Sequence, residues 1–431
     1  MKDKFFRNKT LFLYKLHKWT GIVSAVTMLV LCATGVILLL GDDMTGSSSQ
    51  RIPVDDAALW QDMPAAMDAS QKTYPDWQIY SARIDEQCGI IRLRLQKNDT
   101  ADSKLVIWEH AGQYLLERQN SQPDSIWKTA HKLHLRLNLG TAGHELLKWL
   151  CAIALITMLT GVLIYCPFMK TQSFGEVRHT SRRLYWADMH KFLGMAGMAW
   201  LAVLTFTALV ILFYSDARTS INRSVWANAA SAFAVDAAKQ VPAVTPLEGI
   251  RSIRENMPHS RIASLVMPTK QYPFYGFEVS SYPLRQGNFV PAQWYFLSLD
   301  GKERYHEEAP LIIAVGGMAL NLHLHNHDLF VLRLLWFFFL FVAIGVSVTA
   351  LGTCCFRSKA LNRTTKRAYQ PVKCFGKRHI WKIPVLISLF TLAGLVLPLL
   401  SVWGMYIGTV ALLIAALLVL YARIYPYSKL Q

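Results

Sequence analysis

The chain is 431 residues long, 53% hydrophobic and 12% aromatic, with a formal net charge of +17. So apolar a composition excludes an average soluble protein. The basic excess lies in segments that flank apolar runs, so it reflects membrane topology, and nucleic acid is not an expected partner.

In chain order, residues 1–41 hold the N-terminus and a first apolar run, 16–40. That run is longer than a signal-peptide core and lacks an A-x-A cleavage site, so it reads as a retained span. Residues 42–143 form a first segment outside the membrane. It opens on a Gly/Ser-rich stretch, 46–50, and continues with strand-like alternation at 77–84, 90–96 and 105–109. A turn at Ala111-Gly112 and an interfacial helix at 126–138 complete it. A second span follows in 144–167, a loop in 168–189 and a third span in 190–214. Residues 215–328 form a second outside segment, with an amphipathic helix at 246–256, strands at 261–266, 274–280 and 293–298, and a turn at Asp300-Gly301. A fourth span lies in 329–353, a basic loop in 354–382 and an apolar hairpin in 383–425, about twice the length of one span. The expected fold class is an all-α membrane bundle of about six transmembrane helices, a duplicated helix–module–helix unit with two extracytoplasmic α+β modules.

Charge fixes the expected orientation. Residues 1–18, 167–191, 354–382 and the tail from Arg423 hold 22 of the 45 Lys+Arg, with only Asp3, Glu176 and Asp188 as acids. The positive-inside rule then puts the N-terminus in the cytoplasm and both large segments outside. Of seven cysteines, Cys88 alone falls outside, so no disulfide forms there within one chain. Cys166, Cys354, Cys355 and Cys374 show no C-x-x-C spacing and read as free thiols.

Four histidines recur in matched surroundings. His17 opens H-K-W-T-G and His190 opens H-K-F-L-G, each 17 residues before a Thr plus small residue, Thr34-Gly35 and Thr207-Ala208. His134 and His323 each sit in L-H-L, 26 residues before Thr160-Gly161 and Thr349-Ala350. The two halves are offset by 173 residues at the first landmarks and by 189 at the second, Gly112 and Gly301 included. Both halves run in the same direction. A parallel repeat therefore brings His17 to His190 at the cytoplasmic side and His134 to His323 outside.

Ionisable residues in membrane spans are expensive and functional by default. Paired histidines from facing helices suit axial ligation of a flat metal macrocycle, a haem at each face. Gly21 and Gly194, four residues past their histidines, admit a bulky flat group to the backbone. At the outer site His144, His325 and His327 are alternative ligands. The run 321–327 is also able to bind a transition metal directly, since imidazole suits Zn, Cu, Fe and Ni, with only His323 and His327 of its histidines on one helix face. The Thr plus small pairs read as helix packing. Trp19, Trp149, Tyr185, Trp186 and Trp336 read as interfacial belts. No phosphate loop, dinucleotide fingerprint or nucleophile triad stands out, so any chemistry is electron transfer from a cytoplasmic or quinol donor.

The sequence resembles the PepSY-associated transmembrane helix family over about residues 14–357. The resemblance rests on L-H-K-W-T-G in the first span, L-H at His134 with Leu139-Gly140, L-T-G at 159–161, and L-H at His323 followed by R-L-L-W at 333–336. Ala350 stands where glycine is typical of the family. The resemblance implies PepSY-type modules for the two outside segments. It implies two b-type haems held by His17, His190, His134 and His323, and a bacterial inner-membrane enzyme that reduces a ferric siderophore in the periplasm. Membrane lipid and an electron donor are the other implied partners. Trp77, Arg83, Trp108, Tyr272, Tyr275 and Arg285 are candidate contacts for the chelate. Two other classes compete. A non-enzymatic metal transporter or carrier predicts bound metal without haem absorbance. A partner-binding membrane protein predicts that all four histidines are dispensable.

Overall fold

The computed structural model describes residues 2–44, 54–86, 88–97, 102–117, 126–169, 172–233, 244–257, 260–280, 293–324, 329–356, 378–399 and 402–425. In chain order these form α1 (Lys2–Met44), α2 (Asp56–Gln61), α3 (Met63–Thr73), β1 (Trp77–Asp85), β2 (Ile90–Lys97), β3 (Ser103–Glu109), β4 (Tyr114–Glu117), α4 (Ile126–Arg136) and α5 (Gly140–Phe168). The repeat continues with α6 (Arg182–Ala196), α7 (Met198–Ala232), α8 (Pro246–Asn256), β5 (Arg261–Val266), β6 (Phe274–Ser280), β7 (Gln293–Ser298), β8 (Arg304–Glu308), α9 (Leu311–Leu324) and α10 (Phe330–Cys355). The hairpin α11 (Arg378–Val396) and α12 (Val402–Ile424) closes the chain. The Gly/Ser-rich stretch, His325, His327, Arg285 and Cys374 lie outside the described residues.

Two compact units emerge. One, of Met1–Asp42, Asp124–Leu212 and Asn321–Gln431, is helical. Six helices among the described residues are long and apolar enough to cross a membrane: Asn8–Leu40, Gly140–Tyr165, Met198–Ala232, Phe330–Cys355, Trp381–Leu399 and Trp403–Ile424. This is a multi-pass membrane protein. The helical core runs through Met28 and Cys32 of α1, Trp200 of α7, Phe339 of α10 and Leu412 of α12. The break between α4 and α5 is local chemistry. Leu137 and Asn138 take positive φ (49° and 58°) and Gly140 follows at 61°. A Cβ on Gly143 would stand 1.7 Å from the Arg136 carbonyl oxygen, so only glycine lets α5 start there.

The other unit, Asp43–Pro123 and Phe213–Leu320, holds the strands. Two modules were expected, and they share one eight-stranded antiparallel sheet in the order β4-β3-β2-β1-β5-β6-β7-β8. The repeats join where β1 pairs with β5, Ser81 to Val266, Ala82 to Leu265 and Arg83 to Ser264. Each module alone would leave that strand as an unpaired edge, and pairing them removes it. The six expected strands and the helix at 246–256 are present. The short β4 and β8, and α2 and α3, carried too little periodic signal to be read. The third span, expected over 190–214, both starts and ends later, because α6 with His190 stops at Ala196 and α7 runs from Met198 to Ala232. Its last turns are too polar for a hydropathy run, yet Ile221, Val225, Trp226 and Ala229 form a helical stripe packed on Phe274, Trp294 and Phe296.

The seam between the repeats carries buried charge. Trp60 Nε1 donates to the Ile262 carbonyl at 2.9 Å, Arg254 faces Asp56 at 3.5 Å, and Arg261 donates to Glu86 at 2.5 Å. Burial pushes the Glu86 carboxyl up to about 7, and the repulsion of Asp56 and Asp55 adds to it, against the pull of Arg261. An acid whose folded pKa is raised favours the folded state while protonated. Its contribution is complete below about pH 4.5 and is lost as pH rises through about 7. The seam is therefore expected to be firmer at pH 5.5 than at pH 8, by on the order of 1 kcal/mol once solvent screening is allowed for. Hydrogen-exchange protection of the β1 and β5 amides, corrected for intrinsic rates, checks this; Glu86→Gln should abolish the difference.

Candidate metal centres

All four histidines singled out in the sequence lie in the helical unit, and all are half-buried. His17 comes from α1, His190 from α6, His134 from the last turn of α4 and His323 from the last turn of α9. The ring centroids of His17 and His190 are 6.3 Å apart with planes inclined at 47°, and those of His134 and His323 are 6.3 Å apart at 57°. The ring that meets His323 is thus that of His134; His144 stands in α5, ten residues further on.

Each ring is anchored in the same way. His17 Nδ1 donates to the Thr157 carbonyl at 2.9 Å and lies 3.3 Å from Thr160 Oγ1. His134 Nδ1 donates to the Leu31 carbonyl at 3.1 Å and lies 3.0 Å from Thr34 Oγ1. His190 Nδ1 reaches the Val346 carbonyl at 3.2 Å and Thr349 Oγ1 at 3.5 Å. His323 Nδ1 reaches the Leu204 carbonyl at 3.1 Å and Thr207 Oγ1 at 3.2 Å. In every case the carbonyl belongs to the residue three before the threonine. Every one of these threonines donates its own proton to a carbonyl one turn back, such as Ile156 or Val30, so its oxygen is left to accept. A carbonyl only accepts, so the shared proton is on Nδ1. Nε2 is then the lone-pair nitrogen of all four rings, the form that binds a metal.

This gives the Thr plus small pairs a role that the packing reading missed. The threonine holds the histidine, and at Gly161 the small residue after it makes room for the ring. A Cβ there would stand 3.0 Å from His17 Cε1, whereas one on Gly35 would make ordinary contact with His134 Cε1 at 3.7 Å. The signal was present in the sequence, since each histidine had a threonine in register. The partner, however, is on another helix: Thr160 serves His17 and Thr34 serves His134.

The residues fit a metal macrocycle. Two imidazoles that bind one metal from opposite sides through Nε2, at the roughly 2.0–2.1 Å of metal–imidazole bonds, hold their ring centroids about 6.3 Å apart. Gly194, one turn past His190, has open space where a Cβ would stand. One helix also sets the distance between the pairs. His17 and Thr34 are 17 residues apart on α1, which is about 25 Å along its axis at 1.5 Å per residue.

The segment before His190 is held by charge. Arg178 grips Asp188 through Nε at 2.8 Å and through a second nitrogen at 2.9 Å. Lys191 Nζ bridges Asp188 at 2.8 Å and Gln172 at 2.6 Å, and the Asp188 side chain has no solvent exposure. His190 is thus enclosed in sequence by two residues of one ionic cluster.

The candidate chelate contacts fare differently. Trp108 and Tyr275 are in the core of the sheet unit, so neither offers a surface. Arg83 pairs with Glu278, Trp77 packs half-buried against the same core, and Tyr272 packs on Trp226. Of the residues read as an aromatic belt, Trp19 and Trp149 are 65% and 71% exposed, but Trp336 is 4% exposed and belongs inside the bundle.

Residues 8–357 match the family model described as PepSY-associated TM region, a stretch that takes in all four histidines and every strand among the described residues. No curated protein matches the chain.

Proposed function

We propose that this chain, which belongs to the PepSY-associated TM family, is a bacterial inner-membrane oxidoreductase that carries electrons through two b-type haems to a ferric siderophore or other ferric chelate in the periplasm. The observation that supports it best is the fourfold anchoring of Nδ1, which leaves two facing pairs of metal-binding nitrogens about 25 Å apart along an apolar bundle. That distance suits transfer across an apolar layer about 30 Å thick. His17 and His190 would hold one haem near the cytoplasmic face, and His134 and His323 the other near the periplasmic face. When bound, haem supplies a one-electron iron couple. The histidines would hold the iron through Nε2, the threonines and carbonyls hold the histidines in place, and the surrounding apolar residues would keep water away.

The basic segments argue for a cytoplasmic N-terminus and a periplasmic sheet unit. A ferric chelate is loosened by one electron, because hard oxygen ligands hold Fe(III) more tightly than Fe(II). The donor is a cytoplasmic reductant or a membrane quinol, which gives up two electrons and two protons for every two irons reduced. The test is a dithionite-reduced minus oxidised spectrum of the purified protein with a pyridine haemochrome count. Sharp b-type bands and two haems per chain are expected, followed by reduction of a ferric siderophore. A flat spectrum from a folded, haem-supplied preparation would overturn the reading and favour a metal carrier or a partner-binding protein.

A further inference from the structure

Between the levels of the two histidine pairs lies a group of aromatic rings that ligand anchoring does not use. Trp200 of α7 is 1% exposed. Its ring meets Trp336 of α10 edge-on at 5.8 Å and stacks on Phe339 at 6.0 Å, with planes 17° apart. Its indole Nε1 is buried and has no hydrogen-bond partner among the described residues. A buried Trp normally finds an acceptor for its indole N–H.

The helices show where this group stands. Trp200 is in the first turn of α7, just past the α6–α7 junction at Gly197 that follows His190, and four residues, about 6 Å, before Leu204, which anchors His323. On α10, Phe339 is seven residues, about 10 Å, before Val346, which anchors His190. The rings thus occupy the interval that an electron must cross. The duplication supplies a control. The offsets of 173 and 189 carry Trp200, Trp336 and Phe339 onto Thr27, Leu147 and Leu150 in the first half. The same helical frame therefore packs without aromatic residues at these positions.

We infer that Trp200, with Trp336 and Phe339, is the tunnelling path that couples the inner histidine pair to the outer one. The inference rests on the di-haem reading. On that reading one electron would pass from a ferrous iron that His17 and His190 would hold, leaving it ferric, to a ferric iron that His134 and His323 would hold, leaving it ferrous. No bond forms or breaks, no proton moves, and the indole is neither oxidised nor reduced. The polarisable rings carry the electronic coupling, and their restriction to one half of the repeat gives that path a side.

The experiment uses the full chain in lipid nanodiscs, supplied with haem. A flash-excited deazaflavin injects one electron, and transient absorbance follows its redistribution between the two haems. Trp200→Leu is expected to slow equilibration by about tenfold, with haem content and both midpoint potentials kept; Trp200→Phe should recover much of the rate and Trp336→Leu should give a smaller loss. Parental rates in Trp200→Leu and Trp336→Leu would overturn the inference. If Trp200→Leu does not hold haem, Trp200→Phe and Trp336→Leu decide, and parental rates in both overturn it. A wild-type protein without haem fails at the first spectrum, before any variant is made, and so separates failure of the di-haem reading from failure of the path.

Discussion

Replacing His190 by alanine is expected to halve the b-type absorbance per chain, from two haems to one. His190 shares its site only with His17, at a ring separation of 6.3 Å, whereas His134 and His323 are anchored on different carbonyls some 25 Å along the helices. Loss of one of the two imidazoles would leave that pair unable to hold a haem and the other pair intact. His323→Ala should halve the signal in the same way and remove the other haem, and the double variant should have none. The pyridine haemochrome count reads the number, and redox titration shows which potential has gone. Far-UV circular dichroism should be unchanged, because the helices are held by apolar packing. Two haems persisting in His190→Ala would refute the ligand assignment, and loss of both from a folded variant would refute the independence of the sites. A direct metal carrier would instead show a fall in bound metal without any haem band.

Asp188→Ala is expected to destabilise the His17–His190 end of the bundle by about 3–5 kcal/mol, the range for removing one partner of a buried ion pair. The carboxylate accepts from Arg178 and Lys191, its side chain has no exposure, and apolar replacement leaves both cations facing a low-dielectric wall. Arg178 is partly exposed and can turn to solvent, so the lower end of that range is the better expectation. The loss should be local. Gln172 and Arg178 tie the preceding loop to α6 next to His190, so the first haem should titrate out and dissociate at lower denaturant than the second. Asp188→Asn keeps a hydrogen-bond acceptor without the charge and should show about half the effect. Denaturant titrations followed at the two haem bands check this. Equal loss of both haems would mean that Asp188 supports the whole bundle.

Much of this architecture follows from local rules that a sequence displays directly. A hydropathy run of sufficient length defines a span whatever its neighbours are, and the expected spans match six candidate membrane helices. Alternation defines a strand in the same way, and the expected strands correspond to β1, β2, β3, β5, β6 and β7. The duplication, read from offsets of 173 and 189, also predicted which histidines should meet, because a parallel repeat brings equivalent positions to the same level.

What local rules do not carry is the identity of a neighbour. The pairing of His17 with Thr160, and of His134 with Thr34, depends on which helix lies beside which and on its rotation, over separations of 143 and 100 residues. The joining of two modules through β1 and β5 depends on two edges meeting in space, which alternation within either strand does not encode. Trp336 reads as interfacial from its position near a span end and is buried because Trp200 comes from another helix to cover it. Trp108 and Tyr275 read as surface contacts and are core because α2, α3 and α8 supply apolar side chains against their face of the sheet. The sequence by itself determined the spans, the strands and the candidate ligands, since hydrophobicity and periodicity act over a few residues. Only the tertiary structure decided which side chain faces which, because that is settled by the packing of segments a hundred or more residues apart.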